Sequence, residues 1–129
     1  MFSTTCQQGR GWACNSYAYE YWKGESVERD YDLATKFFGE SCERCYMLGC
    51  YNFGYQHFRG TGVAKNPSKG AELYQEACMG GHYAACYTLG EKLAKGKELP
   101  KDMERARELV TMACDGGHEE ACEQLKNQP

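Results

Sequence analysis

The sequence predicts an all-α fold, an α/α solenoid built from 36-residue helix-turn-helix repeats, and three observations support this prediction. Two columns of cysteines recur every 36 residues without an insertion or deletion. Glycine and Asp/Asn columns keep the same step, and the apolar residues between them follow helical spacing. Because one such repeat cannot bury its apolar stripe alone, stacked repeats must supply the core.

The cysteine columns predict a set of disulfide bonds. One column is Cys6, Cys42, Cys78 and Cys114, and the other is Cys14, Cys50, Cys86 and Cys122. Each pair has the spacing Cys-x7-Cys, which places one thiol at the end of a helix and the other on the next helix, within the Cα separation of about 4.4–6.8 Å that a disulfide needs. We predict one bridge within each pair. The alternative is that the thiols stay reduced and act as small hydrophobes.

Glycine and Asp/Asn columns predict where the helices end and begin. The glycines stand at the C′ position, which favours a positive φ, and they are Gly24, Gly60 and Gly96. The acidic or amide residues offer a side-chain oxygen that caps the next helix, and they are Asp30, Asn66 and Asp102. We predict helix A over about 11–23, 47–59, 83–95 and 119–126, and helix B over about 31–41, 67–78 and 103–114.

Length and charge limit the domain count and the partners. A chain of 129 residues suits one domain, residues 1–129, made of three full repeats and a terminal capping helix. The formal net charge of −3 leaves no positive excess to neutralise a phosphate backbone or an anionic bilayer. No apolar stretch approaches the roughly 18 residues that a transmembrane helix needs. We therefore expect neither nucleic-acid binding nor membrane insertion.

The cysteine content predicts the compartment. Nine cysteines in 129 residues are many for a protein of the reducing cytosol. We therefore expect a periplasmic or secreted protein whose signal peptide has been removed.

Three segments resemble the Sel-1-like repeat, and they are Gly81–Gly90, Gly60–Asn66 and Lys69–Cys78. The resemblance covers essentially the whole chain, and the paired cysteines are similar to those of the disulfide-rich branch typified by the Helicobacter cysteine-rich proteins. The resemblance implies that each cysteine pair ties helix B to the next helix A. It also implies a non-catalytic adaptor that binds another protein, such as a secreted effector or an envelope protein.

Two alternative functions follow from the same resemblance. One is an immunity protein that neutralises a secreted bacterial effector such as a phospholipase. The other is a penicillin-binding protein or a weak β-lactamase. The usual serine enzyme of that class needs Ser-x-x-Lys, which this sequence lacks, as it lacks His-Glu-x-x-His and Gly-x-Ser-x-Gly. We therefore predict no catalytic residues and no cofactor.

The ninth cysteine, Cys45, stands outside the repeat rule. With Cys42 it forms a CxxC, but no second CxxC and no βαβ pattern accompany it, which argues against a redox or zinc site. Cys45 occupies a column otherwise filled by Gly9, Gly81 and Gly117. We predict an exposed free thiol in a turn, with a disulfide-linked dimer as the alternative.

His82 and His118 share one column of the repeat, and two histidines at equivalent positions could be taken for a metal site. Equivalent positions of neighbouring repeats lie about 10 Å apart, which is too far for one metal ion. We predict that each histidine lies at a helix start or in a turn, and that neither binds a metal.

A second stripe on helix A predicts the interaction surface. It runs beside the core stripe, on the face that lines the concave surface of helical solenoids, and it carries residue types that dominate binding hot spots. The predicted contact residues are Trp12, Ser16, Tyr19, Lys23, Asn52, Tyr55, Arg59, Thr88 and Glu91. The alternative is that Trp12 and the tyrosines only cover the edge of the core.

Overall fold

The computed structural model describes residues 10–127 and places seven α-helices, and no strand, in that part of the chain. The helices are α1 (Gly11–Lys23), α2 (Tyr31–Glu43), α3 (Met47–Arg59), α4 (Pro67–Met79), α5 (Tyr83–Lys95), α6 (Met103–Asp115) and α7 (Glu119–Lys126). Every predicted helix is present with ends within two residues of the prediction. The alternation of helix A and helix B is therefore confirmed over the described range.

The ends of the helices follow the predicted chemistry. The glycines after α1, α3 and α5 adopt left-handed conformations, with φ of 71°, 76° and 67°. At the start of each helix B, a side-chain oxygen accepts a hydrogen bond from the backbone N–H three residues later. The donor–acceptor distances are 3.0 Å for Asp30, 3.1 Å for Asn66 and 3.0 Å for Asp102. These bonds satisfy N–H groups that a helix start leaves without an intrahelical partner.

The chain divides into two compact units, and the division falls inside α4 between Leu73 and Tyr74. In the first unit α1 packs against α2, and α2 packs against α3. Its core contains Ala18 and Phe37, and the rings of Tyr17 and Tyr21 lie with their centroids 6.1 Å from the Phe37 ring. A small residue in the predicted core stripe thus lets a large aromatic residue of α2 fill the space between helices.

In the second unit α6 packs against both α5 and α7. Gly90 of α5 lies against α6 so closely that a Cβ atom there would be 3.1 Å from the carbonyl oxygen of Ala106 and 3.0 Å from Val110. Leu109 on the same helix is fully buried. The small residue that the sequence places in the helix A stripe therefore serves close helix packing here too.

Three cysteine pairs of the predicted set lie at disulfide distance. Cys42–Cys50 joins α2 to α3, Cys78–Cys86 joins α4 to α5, and Cys114–Cys122 joins α6 to α7. Their Cα–Cα distances are 4.3, 4.7 and 4.7 Å. The predicted bridge Cys6–Cys14 lies outside the described residues, because Cys6 precedes residue 10. The disulfide-bridged character of the fold is confirmed.

Candidate interaction surface

On α1 the predicted contact residues form an exposed aromatic stripe. Trp12 exposes 57% and Tyr19 exposes 48% of its surface, which is high for such large apolar side chains. Ser16 lies exposed between them, and its hydroxyl donates a hydrogen bond of 3.0 Å to the carbonyl oxygen of Trp12. The rings of Trp12 and Tyr19 therefore lie on either side of Ser16, whose hydroxyl already has a hydrogen-bond partner within the helix.

Lys23 ends this stripe with a charge that is already compensated. Its Nζ lies 3.3 Å from a carboxylate oxygen of Glu25, 3.7 Å from one of Glu20, and 4.8 Å from the centroid of the Tyr19 ring. The hydrogen bond to Glu25 and the nearby carboxylates raise the pKa of Lys23. Lys23 thus stays protonated and lies over the Tyr19 ring as a fixed cation.

The stripe on α3 has a similar pairing of aromatic ring and cation. Arg59 donates a hydrogen bond of 2.8 Å from a guanidinium nitrogen to the hydroxyl of Tyr55. The central guanidinium carbon also lies 5.6 Å from the centroid of the Tyr55 ring. Arg59 is exposed and Tyr55 is half-buried. The guanidinium therefore keeps unused donors for a partner.

An amide pair joins α1 to the stripe on α3. The Nδ2 atom of Asn52 on α3 donates a hydrogen bond of 2.9 Å to the Oδ1 atom of Asn15 on α1. Asn52 was predicted as a contact residue, but its amide is engaged between the helices. Sequence reasoning did not single out Asn15, whose column carries tyrosine in the next two repeats, at Tyr51 and Tyr87. The replacement of tyrosine by a short amide in the first repeat was the sequence feature that could have pointed to Asn15.

Beyond Tyr19 an aromatic row continues that the sequence analysis missed. The ring of Trp22 stacks on Tyr19 with centroids 6.2 Å apart and lies 6.4 Å from the ring of Tyr31. The Arg29 guanidinium carbon lies 5.7 Å from the Tyr31 centroid. Trp22 and Tyr19 are three residues apart on one helix, a spacing that places side chains side by side.

The predicted contact residues of α1 and α3 that carry a ring, an amide or a guanidinium group are named here the α1/α3 patch. They are Trp12, Tyr19, Asn52, Tyr55 and Arg59.

Thr88 and Glu91 belong to α5 in the second unit. The Thr88 hydroxyl donates a hydrogen bond of 2.8 Å to the carbonyl oxygen of Ala84, as Ser16 does to Trp12 in the first repeat. Glu91 faces the hydroxyl of Tyr87. Burial raises the pKa of Tyr87, and the carboxylates of Glu91 and Glu120 raise it further. Glu91 is therefore engaged with its own unit.

Both histidines of the predicted column lie at helix starts. Nδ1 of His118 accepts a hydrogen bond of 3.3 Å from the backbone N–H of Ala121, so its ring caps α7. The ring also lies 4.8 Å from that of Tyr87. His82 precedes α5 and is half-buried. Burial lowers the pKa of His82, and the charge of His118 lowers it further.

The lowered pKa of His82 predicts a loss of stability in acid. The unfolded chain takes up this proton near pH 6.5, whereas the folded chain takes it up only at a lower pH. The His82 contribution should be fully present above about pH 6.5 and be lost as pH falls through the folded pKa. Urea midpoints for His82→Gln should fall less between pH 7.5 and 5 than those of the unchanged protein. Equal falls in both proteins would place the titrating group elsewhere.

Cys45 lies exposed in the turn between α2 and α3 and has no disulfide partner. It is the only non-glycine residue with a positive φ, 62°, in the described part of the chain. Its column neighbours Gly81 and Gly117 have φ of 99° and 98°. All three described turns of this column thus have a positive φ, and one of them carries cysteine instead of glycine.

Comparison with known protein families identifies the repeat. A family model described as Sel1 repeat matches three consecutive segments, residues 13–44, 45–82 and 84–118. The chain belongs to the Sel1 repeat family. No curated protein matches it by sequence.

Solved structures carry the same fold. A Sel1 repeat protein from Oxalobacter formigenes superimposes with a TM-score of 0.79 at 25% identity, over 88% of this chain and 45% of that one. The protective antigen c5321 of uropathogenic Escherichia coli strains has a TM-score of 0.82 at 26% identity, over 93% and 26% of the two chains. Helicobacter pylori cysteine rich protein B has a TM-score of 0.74 at 24% identity, over 95% and 87%. This chain spans less than half the length of the first two proteins.

These matches confirm the predicted class, an α/α solenoid of Sel1 repeats. The boundaries of the matched Sel1 repeats separate each helix B from the next helix A, so every described disulfide crosses a boundary. Cys42 belongs to the first matched repeat and Cys50 to the second. Sel1 repeats are typically non-catalytic modules for protein interaction. No helix within residues 10–127 is long and apolar enough to cross a bilayer.

Proposed function

We propose that this Sel1 repeat chain binds a partner protein through the α1/α3 patch in an oxidising compartment. The observation that carries the proposal is the exposure of Trp12 and Tyr19, at 57% and 48%, on one face of α1. Burying large aromatic side chains against a partner is favourable because each removes much apolar surface from water. Trp12 and Tyr19 stay exposed on one face of α1, so binding of a partner protein that covers them would be favoured by the burial of their apolar surface.

The polar groups of the patch support specific recognition. The Asn15–Asn52 hydrogen bond holds α1 next to the stripe on α3 before a partner binds. Arg59 is held against Tyr55 by its own hydrogen bond, so less side-chain freedom is lost on binding. Tyr, Trp and Arg are the residues most enriched among binding hot spots. The alternative that Trp12 covers only a core edge requires its exposed half to have no role.

The disulfides support the proposed compartment. Cys50 and Cys86 are almost fully buried, and their bridges tie neighbouring Sel1 repeats together. Disulfides persist in the periplasm and outside the cell, whereas the cytosol keeps thiols reduced. The Helicobacter pylori neighbour is itself named as cysteine rich. We therefore place the protein in the periplasm or outside the cell.

Site-specific photo-crosslinking tests the proposed surface. A crosslinking residue at position 16, between Trp12 and Tyr19, should give one discrete adduct in an extract of the source organism. The same residue at the exposed position 36 on α2 serves as the control and should give none. Unlabelled protein should compete with the adduct, and unlabelled Trp12→Ala should not. An adduct that forms only from position 36 would move the interface to helix B.

A further inference from the structure

Three cysteines lie at the junction between α2 and α3, with Cys42 in the last turn of α2, Cys45 in the connecting turn and Cys50 in α3. The geometry of the connecting turn brings Cys45 close to Cys42. The backbone N–H of Cys45 donates a hydrogen bond of 2.9 Å to the carbonyl oxygen of Cys42. A bond from residue i+3 to residue i closes a tight turn whose end Cα atoms lie less than about 7 Å apart. That separation falls near the range of about 4.4–6.8 Å that disulfides span.

The exposure of the three residues differs in a way that matters for exchange. Cys45 is exposed and unpaired, Cys42 is half-buried, and Cys50 is 1% exposed. A thiolate attacks a disulfide at whichever sulfur it can reach. The sulfur that Cys45 can reach from the turn is therefore that of Cys42.

The equivalent turns show that the Cys45 position is sterically open. Gly81 and Gly117 close the same turn, with hydrogen bonds of 3.0 and 2.9 Å to Cys78 and Cys114. A Cβ atom built on either glycine would meet no atom within 4 Å. A side chain in this column therefore meets no steric obstacle, although the φ of 99° at Gly81 strains any residue other than glycine.

We propose that Cys45 exchanges with the Cys42–Cys50 disulfide, so that this junction between Sel1 repeats switches between two covalent states. The Cys45 thiol gives its proton to solvent, and the thiolate attacks Sγ of Cys42. A Cys42–Cys45 bond forms while the Cys42–Cys50 bond breaks. The electron pair stays on Sγ of Cys50, which takes up a proton, so the step needs neither oxidant nor reductant.

The structure offers a place for the thiol that this exchange releases. Sγ of Cys50 lies 3.7 Å from the carbonyl oxygen of Cys42, a distance at which a thiol can donate a weak hydrogen bond. Buried cysteine thiols also pack well as small hydrophobes. In the first state a disulfide joins α2 to α3. In the second state the bridge joins Cys42 to the connecting turn, and no covalent crosslink ties α2 to α3.

Peptide mapping of the oxidised full chain tests the exchange. The protein is held at pH 8.5 without redox reagents, quenched in acid, denatured, alkylated and cut with trypsin. Cleavage after Arg44 separates Cys42 from the peptide that carries Cys45 and Cys50. Fragmentation of the linked peptides then shows which of the two thiols carries the alkyl group. We expect alkylated Cys50 linked through Cys45, at a rate that rises with pH because the thiolate is the attacking species.

Two variants sharpen the test. Cys45→Ser should leave every molecule with the Cys42–Cys50 bridge, and Gly81→Cys should bring the same exchange to Cys78–Cys86. The unaltered Cys114–Cys122 bridge is an internal control and should not change in any variant. If all wild-type molecules keep Cys42–Cys50 while a maleimide labels Cys45 fully, the proposal is wrong. Exchange products that appear only as dimers would also overturn it, because the step proposed lies within one chain.

Discussion

Replacing Cys78 and Cys86 together by alanine is expected to lower the free energy of unfolding by about 2.5 kcal/mol. The bridge closes a loop of about nine residues, and in the chain-entropy model it stabilises the fold by restricting the unfolded chain. Both residues are almost fully buried, so the substitution also removes two packed sulfur atoms. Urea denaturation of the oxidised proteins, followed by circular dichroism, measures the difference.

Two comparisons separate the bond from the packing. Cys45→Ala removes an exposed thiol that has no disulfide partner and should change the free energy of unfolding by less than about 0.5 kcal/mol. Wild-type protein in dithiothreitol keeps every sulfur atom but loses the bonds, and it should be less stable than the oxidised double variant. Reduced wild-type protein as stable as the oxidised wild type would mean that the cysteine columns serve packing alone.

Truncation of Trp12 to alanine is expected to weaken partner binding by about 2 kcal/mol or more, which is roughly 30-fold in Kd. Tyr55→Ala should act similarly, because it also removes the ring against which Arg59 is held. The melting temperature should change little for Trp12→Ala, since more than half of the side chain is exposed. Calorimetric titration with the partner that photo-crosslinking identifies measures the affinities.

Alanine substitutions at Glu28 and Lys36 are the matched controls for the patch. Both residues are exposed, one in the loop after α1 and the other on α2, and neither should alter affinity or stability. A large fall in melting temperature with full affinity for Trp12→Ala would show that the side chain completes the core edge. Loss of binding in the controls alone would place the interface on the helix B side.

The 36-residue period was sufficient to predict the helices and their ends. The left-handed residue after helix A and the oxygen before helix B are local requirements of the backbone, satisfied by Gly24 and Asp30 within a few residues of sequence. Local requirements can be read from residue type and spacing. The cysteine pairs could be predicted for the same reason, because only seven residues separate Cys42 from Cys50.

The shape of the loop after helix A could not be predicted from the repeat. Gly62 has a φ of 74°, and a Cβ atom there would collide with the backbone of Tyr31 on α2. The equivalent residues Ser26 and Glu98 have no positive φ, yet the helices on either side of each loop end at equivalent positions. The chain thus tolerates two loop shapes, and the close approach to α2 that requires glycine is a tertiary contact.

The surface was likewise decided by contacts between helices. Helical spacing predicted that Trp12, Tyr55 and Arg59 face outward, but not that the Asn52 amide bonds to Asn15. Nor did it predict that the Trp22 ring lies next to the rings of Tyr19 and Tyr31. Which polar groups remain available depends on partners from other helices, up to 37 residues away in sequence. Helical periodicity specifies the direction of a side chain from its own helix axis. Only the packing of one helix against another decides what that side chain meets.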